Sequence, residues 1–510
     1  MTAVTPSASQ PRTYGNWRRP TSAGLGSLGT LGTALLLAGL IAVIGTMAVA
    51  GVLWSVAVAT GVGGLLALLV VRDRHHRSGA QRLSTRIGWA RARRSGSHLY
   101  RSGPLGQTPY GSFQLPGLAA ASQLSEWRDS HGRPFALITV PATRHATVVL
   151  MTEPDGASLV DDDQVDTWVA HWGAWLAALG HEPGLVGAAV SVETAPDSGT
   201  RLRREVDTRV DPHAPDVALA MLREVATTYP AGSATVTAYV SLTFSMAARG
   251  GGRKRAVEDV ARDLATRLPG LAAGLTATGA GAVRPVTAQE LCELVRVAYD
   301  PSVARVLDEV HAAGETPELR WSDVGPTAAE AGWGWYRHDG ALSVTWSMTE
   351  APRGEVYSSV LADLLAPHPD IDRKRVTLLY RPLDAGRAAR IVEQDKRNAD
   401  FRASSTSRPT ARVQLEQRAA ALTAEEEARG AGLVDFGMLV TATVADTDLL
   451  DDPRAALDAA RAAIDNLSAT ARTQLRPVYG SQDSAFAAAL PLGIIPSAHL
   501  TVPNEFREVL

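Results

Sequence analysis

Residues 20–71 read PTSAGLGSLGTLGTALLLAGLIAVIGTMAVAGVLWSVAVATGVGGLLALLVV, without one Asp, Glu, Lys, Arg or His, in a 510-residue chain where charged residues make up 20% of positions. A helix that crosses a bilayer needs about 20 predominantly apolar residues. The window therefore has room for two, predicted at Leu31 to Ala48 and Val52 to Val71 with a turn near Gly45 to Gly51. The run is too long for the apolar core of a cleaved signal peptide, starts late, and leads into arginines rather than a small-residue cleavage site. The reading is a two-helix membrane hairpin.

Working outward, Arg12, Arg18 and Arg19 precede the window, and Arg72, Arg74, Arg77, Arg82, Arg86, Arg91, Arg93, Arg94 and Arg101 follow it, against the single acid Asp73. Basic residues collect on the cytoplasmic side of membrane spans, so both flanks are expected in the cytoplasm. This divides the start of the chain into a cytoplasmic segment at 1–30, a transmembrane hairpin at 31–71 and a basic collar and linker at 72–122. The expected location is the plasma membrane, multi-pass, with the bulk of the chain cytoplasmic. An arginine beside an anionic leaflet contributes about 1 kcal/mol, so the collar can lie on membrane lipid. It offers only Trp89 and Tyr100 for base stacking, and no direct contact with nucleic acid is expected.

Ser102 to Gly117 is punctuated by glycine and proline too often for regular structure, and folded sequence is expected from Gln123. Phe135 to Val140 and Ala146 to Met151 read as strands. After Asp161, Asp162 and Asp163, apolar residues at Val165, Trp168, Val169, Trp172, Trp175, Leu176 and Leu179 mark one face of a helix. Three aspartates could bind a hard cation, but acids opening a helix are already accounted for by capping and the helix dipole.

The second half repeats the order of the first. Met151-Thr152-Glu153 ends one strand and Met348-Thr349-Glu350 another; each is followed by a helix, a strand, a helix, a strand, a helix and the tripeptide Arg-Pro-Val, at Arg284 and at Arg476. The separations, 133 and 128 positions, agree within five residues. The expected fold class is α+β, with two duplicated domains at 123–316 and 319–510, mixed or antiparallel strands and helices on one face.

Catalytic motifs are missing from the sequence. Its three lysines, Lys254, Lys374 and Lys396, follow Arg253, Arg373 and Asp395, so no phosphate loop of the Gly-Lys-Ser/Thr type exists. Gly250 to Gly252 before Arg253 and Lys254 reads as a solvated basic turn. There is no Gly-x-Ser-x-Gly elbow and no His-Glu-x-x-His helix. The single cysteine, Cys292, rules out a disulfide framework or a cysteine-based metal cluster. No cofactor or catalytic residue is assigned.

Two stretches carry a resemblance. Tyr14, Gly15, Asn16, Trp17, Arg18, Arg19 and Pro20, directly before a glycine-rich hairpin, resemble the opening of a family of membrane proteins encoded with actinobacterial conjugation genes, whose hairpin is similar to the PrgI-type subunit of type IV secretion. Phe486 to Leu490, Pro491, Leu492 and Gly493 resemble the segment closing the N-terminal domain of TraC/TraE-type conjugative ATPases. The motor domain of those ATPases has no counterpart here. The resemblance implies a non-catalytic docking subunit of a secretion apparatus whose partners are membrane lipid, a separately encoded motor ATPase, other channel subunits and further copies of itself. Leu490, Pro491, Leu492, Gly493, Ile494 and Ile495 are expected to leave the domain as an exposed docking arm. Two other readings are an EccE-like component of type VII secretion and a membrane-tethered enzyme such as a transferase.

Overall fold

The computed structural model describes residues 12–17 and 29–499, apart from short stretches at 74, 76, 107, 109–110, 155, 157–158, 198, 212, 229–233, 248–254, 353, 406–409 and 446–452. Arg18, Arg19, Pro20, Arg74 and the Gly250 to Lys254 turn lie outside the described residues, as does the end of the expected arm beyond residue 499.

The apolar window forms α1 (Gly29–Ala50) and α2 (Val52–Val70), with the turn confined to Gly51 at φ 87°. That conformation is one glycine adopts without a Cβ penalty. The helices pack closely: a Cβ on Gly39 would stand 2.4 Å from Val62 Cγ1, the small-residue contact that lets membrane helices approach. Each contains a 19-residue span long and apolar enough to cross a membrane, of which 6% is buried within the protein. Leu40, Ile41, Ile44, Met47, Leu53 and Trp54 are all exposed.

The rest of the chain is built on one 13-stranded sheet. Helix α3 (Gly79–Ser95) and β1 (Leu99–Arg101) lead into β2 (Gln123–Arg128), β3 (Pro134–Val140), β4 (His145–Glu153), α4 (Asp162–Leu179), β5 (Leu185–Pro196), α5 (Thr200–Arg209), α6 (Asp216–Thr228), β6 (Ala234–Ser245), α7 (Val257–Thr276), β7 (Ala282–Pro285), α8 (Ala288–Tyr299) and α9 (Val303–Ala312). The second half comprises β8 (Ala328–Ala331), β9 (Tyr336–His338), β10 (Ala341–Glu350), α10 (Ala362–Leu365), β11 (Arg373–Pro382), α11 (Ala385–Ser404), α12 (Ala411–Ala428), β12 (Val434–Ala445), α13 (Pro453–Thr470), β13 (Gln474–Pro477) and α14 (Gln482–Ala489). The strand order is β1-β8-β9-β10-β12-β11-β5-β6-β4-β3-β2, with β13 also on β10 and β7 also on β4. Outward from the antiparallel β11–β5 seam, the two sides have the same order.

Successive side chains of a strand point to opposite faces, and the central strands exploit this. One face is apolar. Leu150, Val240 and Leu242 meet Trp175, Val260 and Leu264 from α4 and α7, while Val344, Trp346, Val376 and Val440 meet Leu457 and Ile464 from α13. The other carries cross-strand hydroxyl pairs: Thr147 with Thr243 at 3.1 Å, Ser191 with Thr377 at 3.1 Å, Thr345 with Thr441 at 3.0 Å and Ser343 with Thr443 at 2.7 Å. These short side chains let the C-terminal segment lie directly on the sheet. Thr377 donates to the Ala489 carbonyl at 2.7 Å and Thr243 to that of Gly493 at 3.3 Å.

This overturns the exposed arm. Leu490, Pro491, Leu492 and Ile494 are buried, and Gly493 and Ile495 half-buried. Apolar residues interrupted by prolines read as an arm because the surface awaiting them, assembled from strands hundreds of residues upstream, has no local sequence signature. The linker is corrected too, since β1 pairs with β8 and Leu115 and Ala119 are core residues. The two halves share one sheet rather than forming separate sheets, and helices cover both faces. The Arg-Pro pairs occupy matching places, Pro285 opposite Leu150 and Pro477 opposite Trp346, but the Met-Thr-Glu segments do not: Met151 faces Arg284, whereas Ser347 faces Arg476. A bulge between Met348 and Glu350 accompanies this one-residue offset, and a one-residue slip turns a side chain to the other face.

Candidate membrane-attachment site

Past α2 the chain makes a tight turn. Asp73 Oδ1 accepts the backbone N–H groups of His75 at 2.9 Å and Arg77 at 3.0 Å, and Asp73 N–H donates to the Arg77 carbonyl at 3.0 Å. These contacts outweigh the cost of burial and hold the Asp73 carboxyl below its ordinary value. Ser78 and Gln81 form a reciprocal capping box that starts α3. Helix α3 folds back against the end of α2, where a Cβ on Gly79 would stand 3.1 Å from the Leu68 carbonyl.

The collar is thus a helix seated on the folded body rather than a free linker. Trp89 packs edge-on against Trp333 at 5.4 Å, Trp333 stacks on Tyr479 at 5.7 Å, and guanidinium groups cover both ends, Arg93 over Trp89 at 5.0 Å and Arg476 over Tyr479 at 4.9 Å. At helical spacing Leu83, Ile87 and Arg94 share the face opposite Trp89, and all three are exposed. Arg72, Arg82, Arg86, Arg91 and Arg93 are exposed and Arg77 is half-buried. The side turned from the body therefore combines apolar and cationic groups, the composition of a helix that lies on a membrane surface.

The flank before α1 is attached to the same body. Tyr14 exchanges two 2.8 Å backbone hydrogen bonds with Val356, and its hydroxyl donates to Asp166 of α4 at 2.6 Å. Burial and that bond raise the hydroxyl pKa to about 12. Thr13 donates to Glu355 at 2.8 Å, Asn16 to Thr423 of α12 at 3.0 Å, and Trp17 meets Phe436 of β12 edge-on at 6.5 Å. A Cβ on Gly15 would lie 3.1 Å from the Gly354 carbonyl. The strap reaches both halves of the body, through α4 of the first and Val356, α12 and β12 of the second, and the positions before and after the hairpin share one support.

Two groups suited to covalent chemistry, Cys292 and His338, are buried. Burial pushes the Cys292 thiol up to about 12, far from the range of a reactive thiolate. His338 is fully buried, bonded to the Tyr299 carbonyl at 2.6 Å and the Ser343 hydroxyl at 2.8 Å. Among the described residues no group of three or more His, Cys, Asp or Glu is arranged to hold a metal ion.

Sequence reading placed Arg77 and Arg82 at this site but missed the Trp333–Tyr479 stack and Arg476, which it singled out only as a repeat marker. The signal that could have found them is the aromatic cluster Trp333, Trp335, Tyr336, too many rings for two short strands to bury alone. Residues 21–81 match the family model of a domain of unknown function, DUF8461, which takes in both apolar helices and the turn. No curated protein matches the chain.

Proposed function

We propose that the chain is a non-catalytic structural subunit whose α1–α2 hairpin crosses the plasma membrane twice and leaves the sheet body in the cytoplasm. One observation carries this reading: the strap at Thr13 to Trp17 and helix α3 hold to the same body, so a chain that enters the bilayer from one must return to the other. The arginine-rich flanks give the orientation, and the exposed apolar surface of both helices gives the reason to enter lipid.

The apparatus is a conjugative, type IV-like secretion machine of actinobacteria, an assignment resting on the resemblance of Tyr14 to Pro20 and of Phe486 to Gly493. Its partners are a separate motor ATPase, other channel subunits and further copies of the chain. Since Leu490 to Ile495 are packed, docking falls to other surfaces. The α6 stripe of Val217, Met221, Leu222 and Val225 and the α12 pair Leu415 and Leu422 are exposed, as partner surfaces are. We also infer that the two halves arose by duplication. Supporting this are their shared strand order and matching registers, Thr147 opposite Thr243 as Ser343 is opposite Thr443.

Affinity purification from native membranes with mass spectrometry tests the assignment. A conjugation-type ATPase and channel subunits are expected in the eluate, and the purified chain should hydrolyse no ATP. Recovery of a type VII ATPase with small helical secreted proteins would move the chain to the EccE-like reading.

A further inference from the structure

The turn between α2 and α3 brings together three guanidinium groups and one carboxylate. Arg82 Nε lies 4.0 Å from Asp73 Oδ2, while Oδ1 is occupied by two backbone N–H groups. Arg77 is half-buried, and the Asp73 carboxylate attracts its charge while burial opposes it. Arg476, almost 400 positions later, approaches from β13: it lies over Tyr479 at 4.9 Å, and a Cβ on the adjoining Gly480 would stand 3.2 Å from Thr85, one turn beyond Arg82 on α3; its polar contact is a 3.5 Å bond to the Pro477 carbonyl. Burial comes first in lowering its pKa, and the positive charges of Arg77 and Arg82 add to it, against the Asp73 carboxylate, which raises it.

The other half of the sheet shows what is missing. At the matching place Arg284 is neutralised by Glu290, six residues on, at 2.7 Å. Six residues after Arg476 stands Gln482, fully buried, whose amide is bonded to the Thr345 backbone at 2.8 and 3.1 Å. The carboxylate that follows Arg284 has no counterpart at that position, and the single carboxylate of the turn, Asp73, is set against Arg77, Arg82 and Arg476 together. Like charges held together away from bulk water destabilise one another, and planar guanidinium forks match the oxygens of a phosphate. Helix α3 begins folded back on Leu68, in the last turn of the apolar helix that ends at Val70, which sets the cluster at the depth of lipid headgroups.

We propose that Arg77, Arg82 and Arg476 form a binding site for a phosphate group, and that an anionic phospholipid headgroup is its source. The proposal rests on the membrane placement of α1 and α2. It differs from general attraction of the collar to lipid in requiring Arg476, which belongs to the sheet.

The test uses the full-length protein in nanodiscs of phosphatidylcholine alone or mixed with phosphatidylglycerol, with and without inorganic phosphate. Thermal unfolding and the hydrogen exchange of residues 72–82 are the readouts. Phosphatidylglycerol should raise the unfolding temperature and protect this turn. Arg476→Gln and Arg77→Gln should each weaken lipid retention about five-fold and remove the rise in unfolding temperature that phosphatidylglycerol gives over phosphatidylcholine alone. Arg91→Gln with Arg94→Gln should keep the protection of the turn. Protection by inorganic phosphate in phosphatidylcholine discs would support the phosphate site and overturn the lipid as its source. Equal behaviour of the parent and the Arg77 and Arg476 variants with phosphatidylglycerol would overturn the site itself. Failure of the protein to enter nanodiscs would instead overturn the membrane placement on which the proposal stands.

Discussion

Glu193 on β5 lies in the seam between the halves, bonded to Arg375 of β11 at 2.6 and 2.7 Å and to Arg373. Burial opposes its charge, yet the two guanidinium groups outweigh that cost and hold the carboxyl below its ordinary value. Removing one partner of a buried ion pair strands the other. Glu193→Gln should therefore cost about 3–5 kcal/mol in denaturant unfolding of the detergent-solubilised protein, and a replacement of Glu193 and Arg375 together by apolar residues should cost less than the single change. His338 supplies a pH test. Burial lowers its pKa from 6.5 to about 4, partly opposed by the Tyr299 carbonyl that accepts from Nδ1. Between those values the unfolded chain binds a proton that the folded one excludes, so this contribution is full above pH 6.5 and is lost as pH falls through 4. It amounts to about 3 kcal/mol. His338→Gln should flatten the fall in stability over that range; an unchanged slope would remove His338 as its cause.

Among the elements, α14 and the residues after it show how far local sequence reaches. Runs of apolar and β-branched residues made β3, β4, β6 and β12 legible, and the apolar stripe of α4 was readable because one helix face meets one surface. Helices α5, α9 and α11 were not read. Helix α11 is among the longest in the body, but few of its residues are buried, Ala388, Val392 and Ala399 among them, so periodicity marks it weakly. At the attachment site the arginines were legible from charge alone. Their support on Trp333 and Tyr479 depends on contacts across hundreds of positions and was not. The closing segment differs most: read as an arm, it is core. Phe486 is fully buried against Tyr299, Tyr336 and His338 with ring centroids 4.6–5.4 Å apart. Phe486→Ala should cost about 3–5 kcal/mol. A chain ending at Ala489 should lose cooperative unfolding; retention of a parent-like transition would restore the arm.

In the whole molecule, an exposed apolar helix pair is gripped at both of its ends by the sheet body. The grip on the leading side is the Tyr14–Val356 bridge, and on the trailing side the Trp89–Trp333 contact. Since Cys292 is buried, single cysteines introduced in a Cys292→Ala background report position without interference. The deciding measurement is labelling of Arg12→Cys, Gly51→Cys and Ser95→Cys with a membrane-impermeant maleimide, in intact cells and after permeabilisation. The account predicts that Gly51→Cys reacts in intact cells while Arg12→Cys and Ser95→Cys react only once the membrane is opened. Reaction of Arg12→Cys and Ser95→Cys from opposite sides, or protection of Gly51→Cys until the membrane is opened, would contradict it.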